Sequence, residues 1–335
     1  MLSRVAESIY WMARNVERAE NIARFVDINI KLNLDHAYDG LDQWEPLVQT
    51  TGDDEYFAKH YGKPGRAEVI KFLAFDPQYG NSLISCLRWA RENARTVREA
   101  IPSEVWEQLN DFYHLVRKSN VSSESIEGLS EFFQQVKQQS HLYNGILDST
   151  MSRGDGWHFA NMGRMFERAD KTSRLLDVKY FTLLNQVTDV NTTMDDLQWS
   201  ALLRSVSGFE MYRKKYHTIT IHRVAEFLVQ DLVFPRSICF CLDQGALSLN
   251  SIIANGAPRD NTPALDRLNL LRDEIKALDI KQVVNQGFHE FIDDFQRQLN
   301  EVGKSIFETY FDRTQLDLIP SPQGTSGQKQ SQSQR

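Results

Sequence analysis

At 335 residues the chain suffices for one large domain or two of ordinary size, and 41% apolar with 25% charged residues is ordinary globular composition. A net charge of −7 with no dominant basic patch argues against nucleic acid as a partner. Cys86, Cys239 and Cys241 have neither disulfide-framework nor zinc spacing, so they point to a reducing compartment and to small core residues.

The chain opens directly into an amphipathic helix, with Ser3 as its N-cap, that is predicted to run to about Leu34. Glu7, Arg14 and Glu17 leave no apolar core for a secretory leader. The longest apolar runs are short and broken by charge, so no membrane span is expected and the cytoplasm is the expected location. Apolar or small residues fall at Val5, Ile9, Met12, Val16, Ala19, Ala23, Val26 and Ile30. Steps alternating between four and three give a narrow seam, the mark of a helix packed lengthwise on others. Arg14, Glu17 and Arg24 form a charged stripe beside that seam, Asp27 edges into it, and Arg18 points away.

Short segments follow at 43–47 and 55–61, after a loop at 35–40, and Gly62-Lys63-Pro64-Gly65 is a break. Further helices are predicted over 66–75, from Asn81-Ser82 to Ala100, from Pro102-Ser103 to Lys118 and over 129–153, with a Ser-rich link at 121–128. Gly154-Asp155-Gly156 punctuates the middle, and a second long helix runs to about Val187. A polar loop is expected at 188–196. Thr262-Pro263 opens one late helix, and Asp279 to Gln282 has the capping-box spacing that opens the last, expected to reach Phe311. The final stretch, 320–335, has nothing to bury and is expected to be disordered. No alternating β-branched run is found, so the fold is expected to be all-α, a bundle of long antiparallel helices.

The second long helix repeats the first. Arg14, Glu17, Arg18, Arg24 and Asp27 return as Arg164, Glu167, Arg168, Arg174 and Asp177, each 150 positions later. Beyond them the offset is 155: Trp44 matches Trp199, Tyr61 matches Tyr216, Ser82 matches Ser237 and Cys86-Leu87 matches Cys241-Leu242. The chain therefore reads as two tandem-duplicated halves, 1–153 and 154–315, packed as one globular unit. A surface stripe has no reason to keep the same charges at the same places twice. A buried network in which the copies' Glu and Arg satisfy one another explains it, as does a ligand site whose arginines grip a carboxylate or phosphate. A solvated face is the plain alternative.

No phosphate-cradling glycine loop and no nucleophile elbow occurs, and the eight histidines give no Glu-x-x-His, so no cofactor or metal set is expected. Arg236, between Pro235 and the cap residue Ser237, stands at a helix start, where either a structural cap or an anion contact is possible chemistry. Trp44 and Trp199 read as core anchors.

MLSRVAESIYWMARNVERAENIAR at the N-terminus, GRMFERADKTSRLLDVKY at its repeat, WARENARTVRE at 89–99 and FPRS at 234–237 together resemble the bacterial alpha-E family, over about Met1 to Phe311. That family is named for an α-helical domain with a Glu-Arg motif. The resemblance implies a neighbourhood of circularly permuted ATP-grasp ligase-like proteins and transglutaminase-like peptidases, and so a part in making or processing amide or peptide bonds.

The expectation that follows is a non-catalytic helical partner of an ATP-grasp-type amide ligase, recognising the ligase or its peptide product. The alternative is an enzyme with its site between the two Glu-Arg helices, acting on a carboxylate- or phosphate-bearing substrate. There Glu17 or Glu167 would be acid or base, and Arg18, Arg24, Arg168 and Arg174 the clamps. A third reading gives the duplication to stability alone. A solvent-reaching pocket at Arg18 and Arg168 would separate these readings.

Overall fold

Small residues bring two long helices together. In the computed structural model, which describes residues 1–35, 44–119, 125–184, 193–256 and 262–312, helix α1 (Ser3–Asp35) lies against helix α8 (Asp155–Leu184). Ala13, Ala19 and Ala23 of α1 and Ala160 and Ala169 of α8 are fully buried. A Cβ at Gly163 would stand 2.4 Å from the carbonyl oxygen of Tyr10, so only glycine allows this approach of backbone to backbone. The seam read from the sequence is buried along Ile9, Met12, Val16, Ala19, Ala23 and Val26.

The two central helices run in the same direction. The Met1 amine lies 3.6 Å from Asp155, Tyr10 faces Gly163, and Arg14 reaches Glu167. Each is flanked by antiparallel neighbours. On α1 these are α5 (Leu83–Thr96), whose Thr96 meets Ser8, and α7 (Ile126–Thr150), whose Ser140 meets Glu20 and whose Lys137 meets Asp27. On α8 they are α12 (Ile238–Ala254), whose Ser248 meets Asn161, and α15 (Phe288–Ile306), whose His289 meets Asp177. Periodicity shows which face of a helix is buried but not the direction of the helix that covers it, so the parallel central pair is information the structure adds.

The remaining helices of the first half are α2 (Glu45–Gln49), α3 (Asp54–Tyr61), α4 (Arg66–Ile70) with a π turn over Lys71–Phe75, and α6 (Ser103–Lys118), which packs on α5 and α7. In the second half they are α9 (Thr193–Ser205), α10 (Phe209–Lys215), α11 (Ile221–Gln230), α13 (Thr262–Ala277) and α14 (Ile280–Gln286). Trp44 and Trp199 are buried, as are the three cysteines, which are free thiols. Ser82 and Ser237 cap α5 and α12 by accepting the amides of Ser85 and Phe240. The described residues contain no strand.

Several boundaries differ from the sequence reading. Helix α5 ends at Thr96, and 97–100 form turns. The polar stretch at 193–196 is the first turn of α9 rather than loop. The last helix is broken at Gly287 into α14 and α15, and ends in a π turn over Phe307–Phe311. Of the link expected at 121–128, residues 126–128 are the first turn of α7, which ends at Thr150 rather than at 153, and Asp35 of the loop expected at 35–40 belongs to α1. The stretches 36–43, 120–124 and 185–192 and the tail at 313–335 lie outside the described residues. Among those described, no helix is long and apolar enough to cross a membrane.

Candidate functional site

Adjacent residues on a helix point about 100° apart, so a Glu-Arg pair presents a carboxylate to one side and a guanidinium to the next. Where α1 and α8 meet, each helix offers its pair to the other. Arg18 donates to Glu167 through Nε (2.6 Å) and Nη2 (2.9 Å), and Arg168 donates to Glu17 through Nε (2.9 Å) and Nη2 (2.7 Å). The two forks are crossed copies of one bidentate geometry, which only arginine supplies.

Around Glu17 the network is sealed. Arg236 reaches in from the loop before α12, donating through Nη1 to Glu17 (2.9 Å) and Asn21 (3.1 Å) and through Nη2 to Glu20. Arg24 donates its Nε to Glu20 (2.8 Å) and its Nη1 to Ser207 Oγ (2.6 Å), and its Nη2 meets His141 at 3.0 Å. Ser140 donates to the other oxygen of Glu20 at 2.6 Å. Burial alone would raise both carboxyls. Arg168 and Arg236 beside Glu17, and Arg236, His141 and Arg24 beside Glu20, outweigh it, so both lie below the ordinary carboxylate range. Burial pulls Arg236 down to about 10, which still leaves it charged at neutral pH.

Around Glu167 the network opens. Arg14 donates its Nε to Glu167 at 3.0 Å. Asp170 takes Lys171 Nζ at 2.9 Å and Arg174 Nε at 3.1 Å on both oxygens. Arg18, Lys171 and Arg14 outweigh burial at Glu167, and Lys171 and Arg174 do so at Asp170, so both carboxyls are held below their usual range. A cavity of about 280 Å³ lies against these groups, lined by Arg14, Arg18, Asp170, Lys171 and Arg174 on one side and by Thr50, Thr51, Tyr79 and Asn81 on the other. Four cations therefore stand about two carboxylates. The terminal nitrogens of Arg174 meet no acceptor among the described residues.

The structure brings together Arg14, Glu17, Arg18, Glu167 and Arg168, joins Arg24 and Arg236 to them through Glu20, and sets Arg174 at the cavity. Arg18, read as pointing away from the seam, is turned onto Glu167 because α8 lies on that side. Arg236 faces inward as a partner of Glu17 and Glu20 rather than outward to an anion. Three matched residues lie elsewhere. Asp27 is held by Ser130, Gln134 and Lys137, Arg164 by Asn161, Asn144 and Asp148, and Asp177 by His289. Asp27 stands ten residues beyond Glu17, about 15 Å along the helix, where α7 rather than α8 supplies the partners.

Glu20 and Arg24, four apart in the favourable order, are a pair in the structure, whereas sequence reading missed Asp170, Lys171, Asn81 and Gly52 as participants. The 155-residue frame carries a usable signal, since it sets Gly52 against Ser207 and Asn81 against Arg236. Both loop positions are left-handed, Gly52 at φ 73 and Ser207 at φ 53. Ser207 covers Arg24 with its hydroxyl, whereas a Cβ at Gly52 would stand 3.4 Å from Arg174 Nη1 and glycine leaves that nitrogen bare.

Burial pushes the thiols of Cys86 and Cys241 up to about 12 and that of Cys239 to about 11, so none is a thiolate at neutral pH. Asp177, His289 and Asp293 offer ligand atoms within 4.8 Å of one another, a set missed in the sequence because its members are far apart. Nδ1 of His289 is 2.6 Å from Asp177 and its Nε2 is 3.6 Å from Asp293, so the ring serves two carboxylates through opposite nitrogens instead of converging with them on one ion.

Residues 1–311 match the alpha-E family, described as a predicted alpha-helical domain with a conserved ER motif. Uncharacterised proteins of Mycobacterium bovis and Mycobacterium tuberculosis are each 21% identical over 289 residues, which is 79% of this chain and 32% of theirs. A protein of a second M. tuberculosis strain is 20% identical over the same length. The chain thus spans about a third of the length of the curated relatives it matches. No solved structure matches it.

Proposed function

This chain belongs to the alpha-E family, and on that premise we propose that it is a non-catalytic recognition partner in an ATP-grasp-type amide-ligase system. Its open cavity receives the carboxylate of the ligase's peptide product. The observation that carries this reading is the excess of cation at the cavity: Arg14, Arg18, Lys171 and Arg174 against Glu167 and Asp170, with the end of Arg174 bare among the described residues. Such an array favours a carboxylate or phosphate, which arginine grips in a fork.

Fixed charge favours binding over proton transfer here. Glu17 and Glu167 are held ionised by arginines and have no solvent-facing surface to speak of, so neither is poised as an acid near neutral pH. The cavity opens onto Arg18 but not onto Arg168, which is enclosed between Glu17 and the carbonyl of Pro235. That favours one anion seat over a symmetric pair. In the mycobacterial relatives the matching segment is about a third of a longer polypeptide, which supports a unit that works coupled to further protein. We also read residues 1–153 and 154–315 as copies of one unit, one of which closed while the other stayed open.

Two measurements test the reading. Tagged protein at native expression should co-purify with the ligase and, in titration calorimetry, bind acetylated peptides with a free carboxyl terminus but not their amides. Recovery of the protein alone, together with no heat from either peptide form, sinks it.

A further inference from the structure

We infer that the anion seated in this cavity carries an aromatic or large aliphatic side chain beside its carboxylate, that is, an apolar C-terminal residue of a peptide. The inference rests on reading the cationic cavity as an anion site, and it concerns a second cleft next to it. That cleft, of about 140 Å³, lies between α1, α8 and α15 and shares Arg14, Asp170 and Asn300 with the cationic cavity. Its other walls include Trp11, Phe166, Leu299 and Phe307. Its volume matches an apolar hole that takes one benzene ring.

The charge and the apolar wall meet at Arg14. Its guanidinium stands 4.9 Å from the Trp11 ring centre and 5.6 Å from that of Tyr10, while its Nε is spent on Glu167. A ligand whose carboxylate faces Arg174 and Lys171 can therefore turn its side chain past Arg14 into the aromatic cleft. Phe307 is 44% exposed, so apolar surface at this cleft is left uncovered by the chain itself. Inside the cleft Gly303 of α15 has nothing within 4 Å of where its Cβ would be, so the space beside the helix is open to an incoming group. A bare phosphate or a glycine carboxylate would satisfy the cations and leave that space unused.

The test uses calorimetry on the full chain with N-acetylphenylalanine, its amide, N-acetylglycine and inorganic phosphate. N-acetylphenylalanine should bind about tenfold or more tighter than N-acetylglycine, since burying the ring adds that much, and its amide should lose binding. The Gly303→Leu variant, whose Cβ would meet nothing within 4 Å, adds an apolar side chain at the cleft and should abolish the preference for phenylalanine while N-acetylglycine binds as before. Equal affinity for the two acids overturns the inference and leaves the anion site standing. A preference that survives Gly303→Leu, in protein whose melting temperature is unchanged, also overturns it. Phosphate binding tighter than both acids overturns the choice of a carboxylate ligand. No binding by any of the four overturns the anion site itself.

Discussion

Glu17 and Glu167 stand at matched positions on parallel helices and are gripped by crossed copies of the same arginine fork, yet their surroundings are opposite. At Glu17 and its neighbour Glu20 the chain supplies every remaining partner: Arg236 donates from the loop before α12, Ser140 of α7 donates to Glu20, and Ser207 accepts from the end of Arg24. At Glu167 the matched positions hold Asn81, which lines the 280 Å³ cavity, and Gly52, which stands beside the end of Arg174. Asn81 still accepts from Arg18 Nη1 at 2.7 Å, but it cannot reach across as Arg236 does. The same motif is therefore closed where the chain fills its last valences and opens on a cavity where an asparagine and a glycine stand in place of an arginine and a serine.

The sharpest way to break that comparison is to remove one cation from each end. Arg236→Met leaves Glu17 and Glu20 buried with one partner fewer. Breaking a buried pair in this way should cost about 3–5 kcal/mol in urea unfolding. Arg174→Gln removes a side chain that is 26% exposed and pairs with one carboxylate, and should cost under about 1 kcal/mol. Similar losses from both variants would mean that the two ends are equally structural and that the cavity is incidental.

Acid probes both ends together. All four carboxyls are held below their ordinary range, so the folded chain binds fewer protons than the unfolded chain below the usual carboxylate pKa. Their contribution is fully present above the unfolded value of 4.5 for the glutamates and is lost as pH falls through the lower folded values. Each unit of depression is worth about 1.4 kcal/mol, so the urea midpoint should fall steeply as pH drops below about 4.5. Gln at position 167 in place of Glu should flatten that slope. A midpoint that does not move over this range would show that the pairs do not hold the carboxyls down.

Much of the fold was legible. The four-three seam from Val5 to Ile30 is the face that α1 buries, and the cap residues Ser82, Ser237 and Asp279 start helices where the spacing says. The repeated charges were visible too, but their pairing was not. Spacing places Glu17 and Arg18 on one helix without saying that each binds the opposite member of the other pair, because that depends on the direction and rotation of α8. Asp27 and Asp177 show the limit of matching by offset. They keep the interval from their Glu-Arg pairs, yet one meets a lysine from α7 and the other a histidine from α15. Gly52 and Asn81 carry no local pattern at all. They acquire meaning only once Ser207 and Arg236 are seen doing what they leave undone.

The smallest change that should convert one end toward the other is Gly52→Ser. Position 52 has φ 73, which L residues adopt at a cost of roughly 1 kcal/mol, but the matched Ser207 already holds φ 53. The new Cβ would stand 3.4 Å from Arg174 Nη1, an ordinary contact, and its hydroxyl would come within hydrogen-bond reach of that nitrogen. The serine would then occupy Arg174 as Ser207 occupies Arg24. The fork on Glu167 is untouched, so stability should change by under about 1 kcal/mol, while affinity for N-acetylphenylalanine should fall about threefold to tenfold as one charged donor is taken from the ligand. The complementary Ser207→Gly bares Arg24 but leaves Arg236 in place, so it should create no binding. If Gly52→Ser binds the acid as tightly as the parent, the bare end of Arg174 is not the seat, and the difference between the two ends must lie in the space left by Asn81.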